Sequence, residues 1–295
     1  MKPFTTSSPT FVRLLCIAIF FLFGGVVEAQ NILWKAKGAS NTVYFMGSMH
    51  LLKEGDYPLP KAFEDVFEDA QKVVFETDLD GMESPQIQQL LMSHGMYSDG
   101  SQLKDHVSKE TMALILENAR RVGMSEEMLQ IFKPWMAGLT LVVMDVMKQG
   151  FDPEHGIDRY FYKKAKAEKK ETAGFEKPEF QVELLAGLSD TLSEEFLQHS
   201  LKESASLMES LQEMMDVWKG GDAEGLSKVL LASFDGYPEV REKFLLARNR
   251  HWAPQAQMFL REGKNVLVIV GAGHLVGKGS LIELLERSGV SVEQL

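Results

Sequence analysis

Two stretches of this 295-residue chain share a pattern that can hold a histidine at a reactive position. One is Val43-Tyr44-Phe45-Met46-Gly47-Ser48-Met49-His50-Leu51, with Gly55 following. The other is Val266-Leu267-Val268-Ile269-Val270-Gly271-Ala272-Gly273-His274-Leu275, with Gly279 following. Each reads as an apolar strand that ends in Gly-x-x-His-Leu. Glycine lets a chain turn sharply as it leaves a strand. A histidine three residues later falls just past the strand's carboxyl end, where open α/β sheets bind ligands. Two carboxylates have the same placement: Glu76 closes the run KVVFE and Glu176 closes TAGFE. If these four strands are parallel neighbours, His50, His274, Glu76 and Glu176 converge as a ligand set for Zn²⁺ or Mn²⁺. Polar residues often follow strands for no reason but solvation. The matched context of the two histidines is what raises them above the other five, His94, His106, His155, His199 and His251, which read as surface residues.

Other chemistries are excluded by their missing parts. The run from Gly271 to Val276 has Val where a dinucleotide fingerprint needs its last Gly. The segment ending in Lys278-Gly279 lacks the first Gly and the Ser or Thr of a phosphate loop. No His-Glu-x-x-His helix and no Gly-x-Ser-x-Gly elbow is present. The chain has one Cys, which rules out a disulfide framework and a Cys-ligated zinc site. A net charge of -11 argues against nucleic acid as a partner.

The elements that must position these residues are legible in outline. Residues 32–36 and 42–47, split by Gly38-Ala39-Ser40-Asn41, read as a β-hairpin. Residues 59–70 have helical spacing after Pro58 and Pro60. Residues 72–76, 172–176 and 265–271 read as strands, and 290–292 as an edge strand. Helical patterns cover 85–150, 158–166, 179–218 with a break near Ser189-Asp190, 223–231, 240–262 and 280–287. Strands therefore open and close the chain, with helices between. This predicts an α/β fold: a central mixed sheet built from both chain ends, with a large helical insert.

The amino terminus has a different character. Lys2 and Arg13 precede an unbroken apolar run, residues 14–27, and Val27-Glu28-Ala29 offers small residues at a cleavage position. This predicts a secretory signal peptide over residues 1–29. The run is short of the ~20 residues that cross a membrane. Removal of the signal takes away Cys16 and leaves residues 30–295 as a single domain. That domain is expected to have no stable membrane span and to be exported to the periplasm or the extracellular space.

Taken in order, these motifs resemble the TraB/PrgY/GumN family, which includes the TIKI metalloproteases. The resemblance begins at Leu33-Trp34-Lys35 and the Gly47-x-x-His50 strand. It continues through Glu76, Gly156-Ile157-Asp158, and Gly174-Phe175-Glu176 with Glu179 and Gln181 behind. It ends with Arg248-Asn249 and Gly271-x-x-His274. Phe175 stands where the family usually has Leu, which keeps the position apolar. The resemblance implies a metal-dependent site using a divalent ion (Mn, Co or Zn). His50 and His274 would bind as neutral imidazoles. Glu76 and Glu176 are each candidates for ligand or for the base that takes a proton from water. Arg248 would hold a substrate carboxylate, stabilise an oxyanion or form a structural ion pair. Asn249 would orient Arg248 or cap a helix. Asp158 reads as a helix N-terminal acid that could also support the site. The function implied is an exported metal-dependent hydrolase, a peptidase acting on a peptide or protein substrate. The alternative is a non-catalytic peptide- or polymer-binding accessory protein of the cell envelope.

Overall fold

The computed structural model describes residues 30–202 and 207–295. Residues 1–29, on which the predicted signal peptide falls, lie outside the described residues.

Six strands form one mixed sheet: β1 (Leu33–Lys37), β2 (Thr42–Ser48), β3 (Lys72–Thr77), β4 (Glu171–Glu176), β5 (Val266–Gly271) and β6 (Val292–Gln294). The spatial order is β4-β3-β5-β2-β1-β6. The first four in that order run parallel; β1 is antiparallel to both β2 and β6. The sheet thus joins the two ends of the chain, as the strand pattern predicts. The β6 edge strand falls two residues later than its apolar residues suggest.

The burial of each strand follows its place in the order. Central β5 is a continuous apolar run buried on both faces, the pattern of a parallel strand covered on each side. Edge strand β4 is mostly half-exposed.

Eleven helices of seven or more residues are present among the described residues. They are α1 (Lys61–Asp69), α2 (Pro85–Gly95), α3 (Lys109–Val122), α4 (Pro134–Lys148), α5 (Ile157–Ala167), α6 (Pro178–Ala186), α7 (Asp190–Lys202), α8 (Leu207–Lys219), α9 (Ala223–Ala232), α10 (Ala247–Phe259) and α11 (Leu281–Arg287). Helix α5 is amphipathic, burying Ile157, Phe161, Tyr162 and Ala165 at helical spacing. Its neighbours in the sheet core include Phe67 and Phe75, whose rings pack against Phe161 and Tyr162. Helix starts are marked by Ser108 and Ser280, whose hydroxyls accept from backbone N–H groups three residues on. The stretch predicted as a helical hairpin over 179–218 contains three helices, α6, α7 and α8.

Two hydrophobic clusters result. The larger packs helices on the sheet around Phe45, Phe63, Phe67, Trp252 and β5. The smaller lies within the helical insert and joins α3, α4 and α7 through Ile115, Leu141 and Leu197. Among the described residues no helix is long and apolar enough to cross a membrane.

Candidate functional site

The two Gly-x-x-His strands are nearest neighbours. β2 and β5 pair in parallel, with Gly47 opposite Val270 and Ser48 opposite Gly271. β3 lies on the other side of β5, and β4 beyond it. All four carboxyl ends therefore face one rim of the sheet. Because Gly271 pairs with Ser48 rather than Gly47, the repeated motifs are offset by one residue. That offset gives the two glycines different surroundings.

A Cβ on Gly47 would meet the Ile32 side chain at 2.3 Å, so this glycine serves packing. A Cβ on Gly271 would instead sit 3.1 Å from Glu76 Oε1, 3.3 Å from His50 Nε2 and 3.7 Å from His274 Cδ2. Gly271 thus keeps clear the point at which the site residues face each other. Its own N–H donates to Glu76 Oε1 at 2.8 Å.

His50 Nε2 and His274 Nε2 lie 3.9 and 3.7 Å from that same Glu76 oxygen. The other ring nitrogen of each histidine has a partner. His50 Nδ1 is 2.7 Å from Asp158 Oδ2, and the other Asp158 oxygen accepts from Ser48 Oγ at 2.9 Å. His274 Nδ1 is 2.6 Å from Asn249 Oδ1, and the Asn249 amide donates to the carbonyl of Gly279. Since Asn249 Oδ1 only accepts, His274 carries its proton on Nδ1 and presents a lone pair at Nε2. Asp158 reaches His50 because Gly156, at the start of α5, lets that helix approach the chain: a Cβ there would lie 2.3 Å from the His50 carbonyl oxygen.

Arg248 ties the carboxylates together from the far side. Its guanidinium donates to Glu76 Oε2 at 2.6 Å and bidentately to Glu176 at 2.8 and 2.9 Å. Trp252 Nε1 donates to Glu176 Oε1 at 2.9 Å. Glu176 therefore spends its oxygens on Arg248 and Trp252 and touches neither histidine. Trp252 is wholly buried; Phe175 stacks on it and the Arg248 guanidinium lies over it. The His274 ring packs against the same indole, 4.4 Å between centroids. Arg248 Nη1 is also 3.2 Å from His274 Nε2.

The charges follow from these contacts. Burial alone would raise the Glu76 carboxyl, but the Arg248 guanidinium, the charged His50 and the Gly271 N–H outweigh it and hold it well below the usual carboxylate range. Burial pushes His274 down to about 3, with Arg248 and His50 opposing its protonation further. His50 goes the other way: Asp158 raises it to about 9 against the effect of its surroundings. At neutral pH the site thus pairs a neutral His274 with an ionised Glu76 and a protonated His50. The His50 side chain is 62% exposed while His274 is 4% exposed, so His50 is the reachable member of the pair.

Three atoms, His50 Nε2, His274 Nε2 and Glu76 Oε1, face one another in front of Gly271. Two imidazoles and a carboxylate are donor types that suit a divalent first-row metal. Ligands ~2.1 Å from a shared ion stand roughly 3 to 3.4 Å apart when adjacent. The observed spacings, 3.7 and 3.9 Å, are wider, and among the described residues no group of three or more His, Cys, Asp or Glu stands close enough to hold a metal ion. The donor types suit a metal, but the spacing does not close around one, and Arg248 Nη1 already occupies His274 Nε2.

Of the other histidines, His251 is exposed and lines a neighbouring cavity with Lys243 and Glu183. His106 stacks on Tyr97 at the surface. His155 is half-buried against Tyr57, contrary to its reading as a surface residue. The side chain of His199 lies outside the described residues. Sequence reading did not single out Trp252 at all, and it paired Asn249 with Arg248 rather than with His274.

These features define a class: an α/β protein with a pocket of imidazoles and carboxylates at the carboxyl ends of four parallel strands. Residues 32–294 match the TraB/PrgY/gumN family, and the chain belongs to that family. No curated protein and no solved structure matches it.

Proposed function

We propose that the protein is an exported metal-dependent hydrolase that cleaves peptide bonds, with His50, His274 and Glu76 as the metal ligands. One observation carries the reading: two imidazole nitrogens from distant parts of the chain face a single carboxylate oxygen, each ring fixed from behind by its other nitrogen. Rings held in this way by a carboxylate or an amide oxygen are typical of metal-ligating histidines. A bound divalent ion would supply Lewis acidity, polarising a carbonyl and acidifying water.

The chain's own residues divide the remaining work. Asp158 and Asn249 aim the two imidazoles. Arg248 and the Gly271 N–H keep Glu76 ionised and fixed. A carboxylate held so far below its usual range is a weak base, which favours Glu76 as ligand over Glu76 as proton acceptor. Glu176 anchors Arg248, and Arg248 is a positioning residue. The pocket wall in front of the histidines is apolar, with Phe151, Leu211, Met215 and Leu230. The reading of residues 1–29 as a signal peptide supports export; the envelope form should begin at or near Gln30 on N-terminal sequencing.

A second reading, a non-catalytic peptide- or polymer-binding protein of the envelope, is favoured by the contact of Arg248 with His274 Nε2, which already satisfies that nitrogen. One experiment separates them. The protein is stripped with a chelator, reloaded with Mn²⁺, Co²⁺ or Zn²⁺, and its metal content and digestion of a peptide library are measured. The hydrolase reading expects one ion per chain and cleavage lost in both His50→Ala and His274→Ala. Protein that retains no metal, cleaves nothing, and still binds peptides with both histidines replaced belongs to the second reading.

A further inference from the structure

An apolar chamber of about 290 Å³ adjoins the site, at the low end of ligand pockets at about 300 Å³. Trp135, Val142 and Leu197 wall it from the helical insert, and Leu185, near the end of α6, and Leu188, just beyond it, complete the lining. Phe234 and Phe244 line this chamber and also the cavity that holds His50, Glu76 and His274. They form the threshold between the two. Phe244 lies in a π-helical turn, Glu242–Leu246, that leads directly into α10. Its carbonyl accepts from Arg248 Nη1 at 3.2 Å. Such turns often mark functional positions in helices. Here the turn sets one residue both at the chamber and beside the guanidinium that fixes Glu76.

Beyond Arg248 the surroundings change character. Arg248 also lines a larger cavity, about 820 Å³, in which Phe180 and Leu184 stand among Lys177, Glu179, Glu183 and Lys243. A chain lying across the site would meet apolar groups interspersed with charges of both signs on that flank and an apolar chamber over Phe244. A uniformly apolar lipid matches only one of these environments. A peptide with one large apolar residue matches both.

We propose that the chamber receives an aromatic or branched aliphatic side chain of a peptide substrate, next to the bond presented to His50, Glu76 and His274. The proposal rests on the reading of the site as one that acts on peptides. It assigns the specificity of that site to the helical insert: Val142 and Leu188, neither of which touches the ligand set, select the residue.

The test uses capped tripeptides Ala-Xaa-Ala with Phe, Leu, Trp, Lys, Asp or Gly at the centre. Binding is measured by calorimetry on the full chain without metal, and cleavage on the Mn²⁺-loaded protein. The Phe and Leu peptides should bind at least about tenfold more tightly than the Lys, Asp and Gly peptides. Val142→Trp and Leu188→Trp, which fill the chamber, should bring the Phe peptide down to the Gly level with the melting temperature retained. Val142→Ala, which only enlarges it, should shift preference from Phe toward Trp and serves if the larger substitutions fail to fold. His50→Ala should leave the preference in binding intact. A preference present in binding while nothing is cleaved would sink the hydrolase reading and leave the chamber standing. Cleavage or binding indifferent to the central residue, or a preference unchanged in folded chamber variants, overturns the proposal.

Discussion

A methyl group on Gly271 would enter the space between Glu76 Oε1, His50 Nε2 and His274 without disturbing the strand's pairing. Gly271→Ala is therefore expected to abolish metal retention while the far-ultraviolet circular dichroism and melting temperature stay near wild type. Gly47→Ala gives the opposite pattern, because its Cβ would strike Ile32 in the core: stability falls, by about 1–3 kcal/mol, and any metal affinity in the folded fraction persists. Denaturant unfolding beside metal titration measures both. The contrast separates two residues that the sequence presents as equivalents. His50 gives a second residue-scale test. Its folded pKa is raised to about 9 by Asp158, so an ion must displace a proton at neutral pH. Metal affinity should then rise with pH up to about 9 and level off above, since metal binding and protonation compete. The Asp158 pairing contributes to folding below pH ~6.5 and its contribution is lost as pH rises through 9. Asp158→Asn should move the rise in affinity to lower pH; an affinity flat from pH 6 to 9 in the wild type would remove His50 from the ligand set.

At the scale of elements, the strands were the legible part. The apolar runs before each Gly-x-x-His predict β2 and β5, and KVVFE and TAGFE predict β3 and β4. Their order in the sheet depends on pairings between residues far apart in sequence, and no local pattern encodes the one-residue offset between the motifs. The same holds for the partners of the histidines. Asp158 looks like an ordinary first-turn acid on an amphipathic helix, and only the close approach at Gly156 brings it to His50. Asn249 and Trp252 lie on α10, whose mixed polar and apolar sequence gives no clean stripe, yet it buries Arg248, Asn249, Trp252 and Ala256. That burial leaves the packing of α10 dependent on the ion pairs of Arg248. Arg248→Met would leave Glu76 and Glu176 buried without their cation, which costs about 3–5 kcal/mol when one partner of a buried pair is removed. Urea unfolding at pH 7 should show that loss. A triple variant that also carries Glu76→Gln and Glu176→Gln should recover much of it, because no uncompensated charge remains.

Across the whole molecule the proposed ligand set rests on the sheet cluster, while the proposed specificity chamber lies between that cluster, against which Val142 packs, and the insert cluster, to which Leu197 belongs. The sheet cluster carries the strand ends that bear His50, Glu76 and His274. The insert cluster, with Ile115, Leu141 and Leu197, supports the chamber wall through Leu197. Leu141 is buried between α3, α4 and α7 and lines neither cavity. Leu141→Ala removes three carbons from that packing and should cost about 2–5 kcal/mol. If the insert folds and unfolds with the sheet, the loss appears as a lower midpoint of a single transition seen by all probes. If the insert opens alone, amide exchange in α3, α4 and α7 accelerates while β5, buried on both faces, keeps its protection. Ligand geometry is set on the sheet side, so metal affinity should remain within about twofold of wild type in either case, whereas discrimination among the tripeptides should weaken as Leu197 loses its support. A fall in metal affinity as large as the fall in stability would mean that the sheet rim is not rigid on its own and that the insert holds the histidines in place.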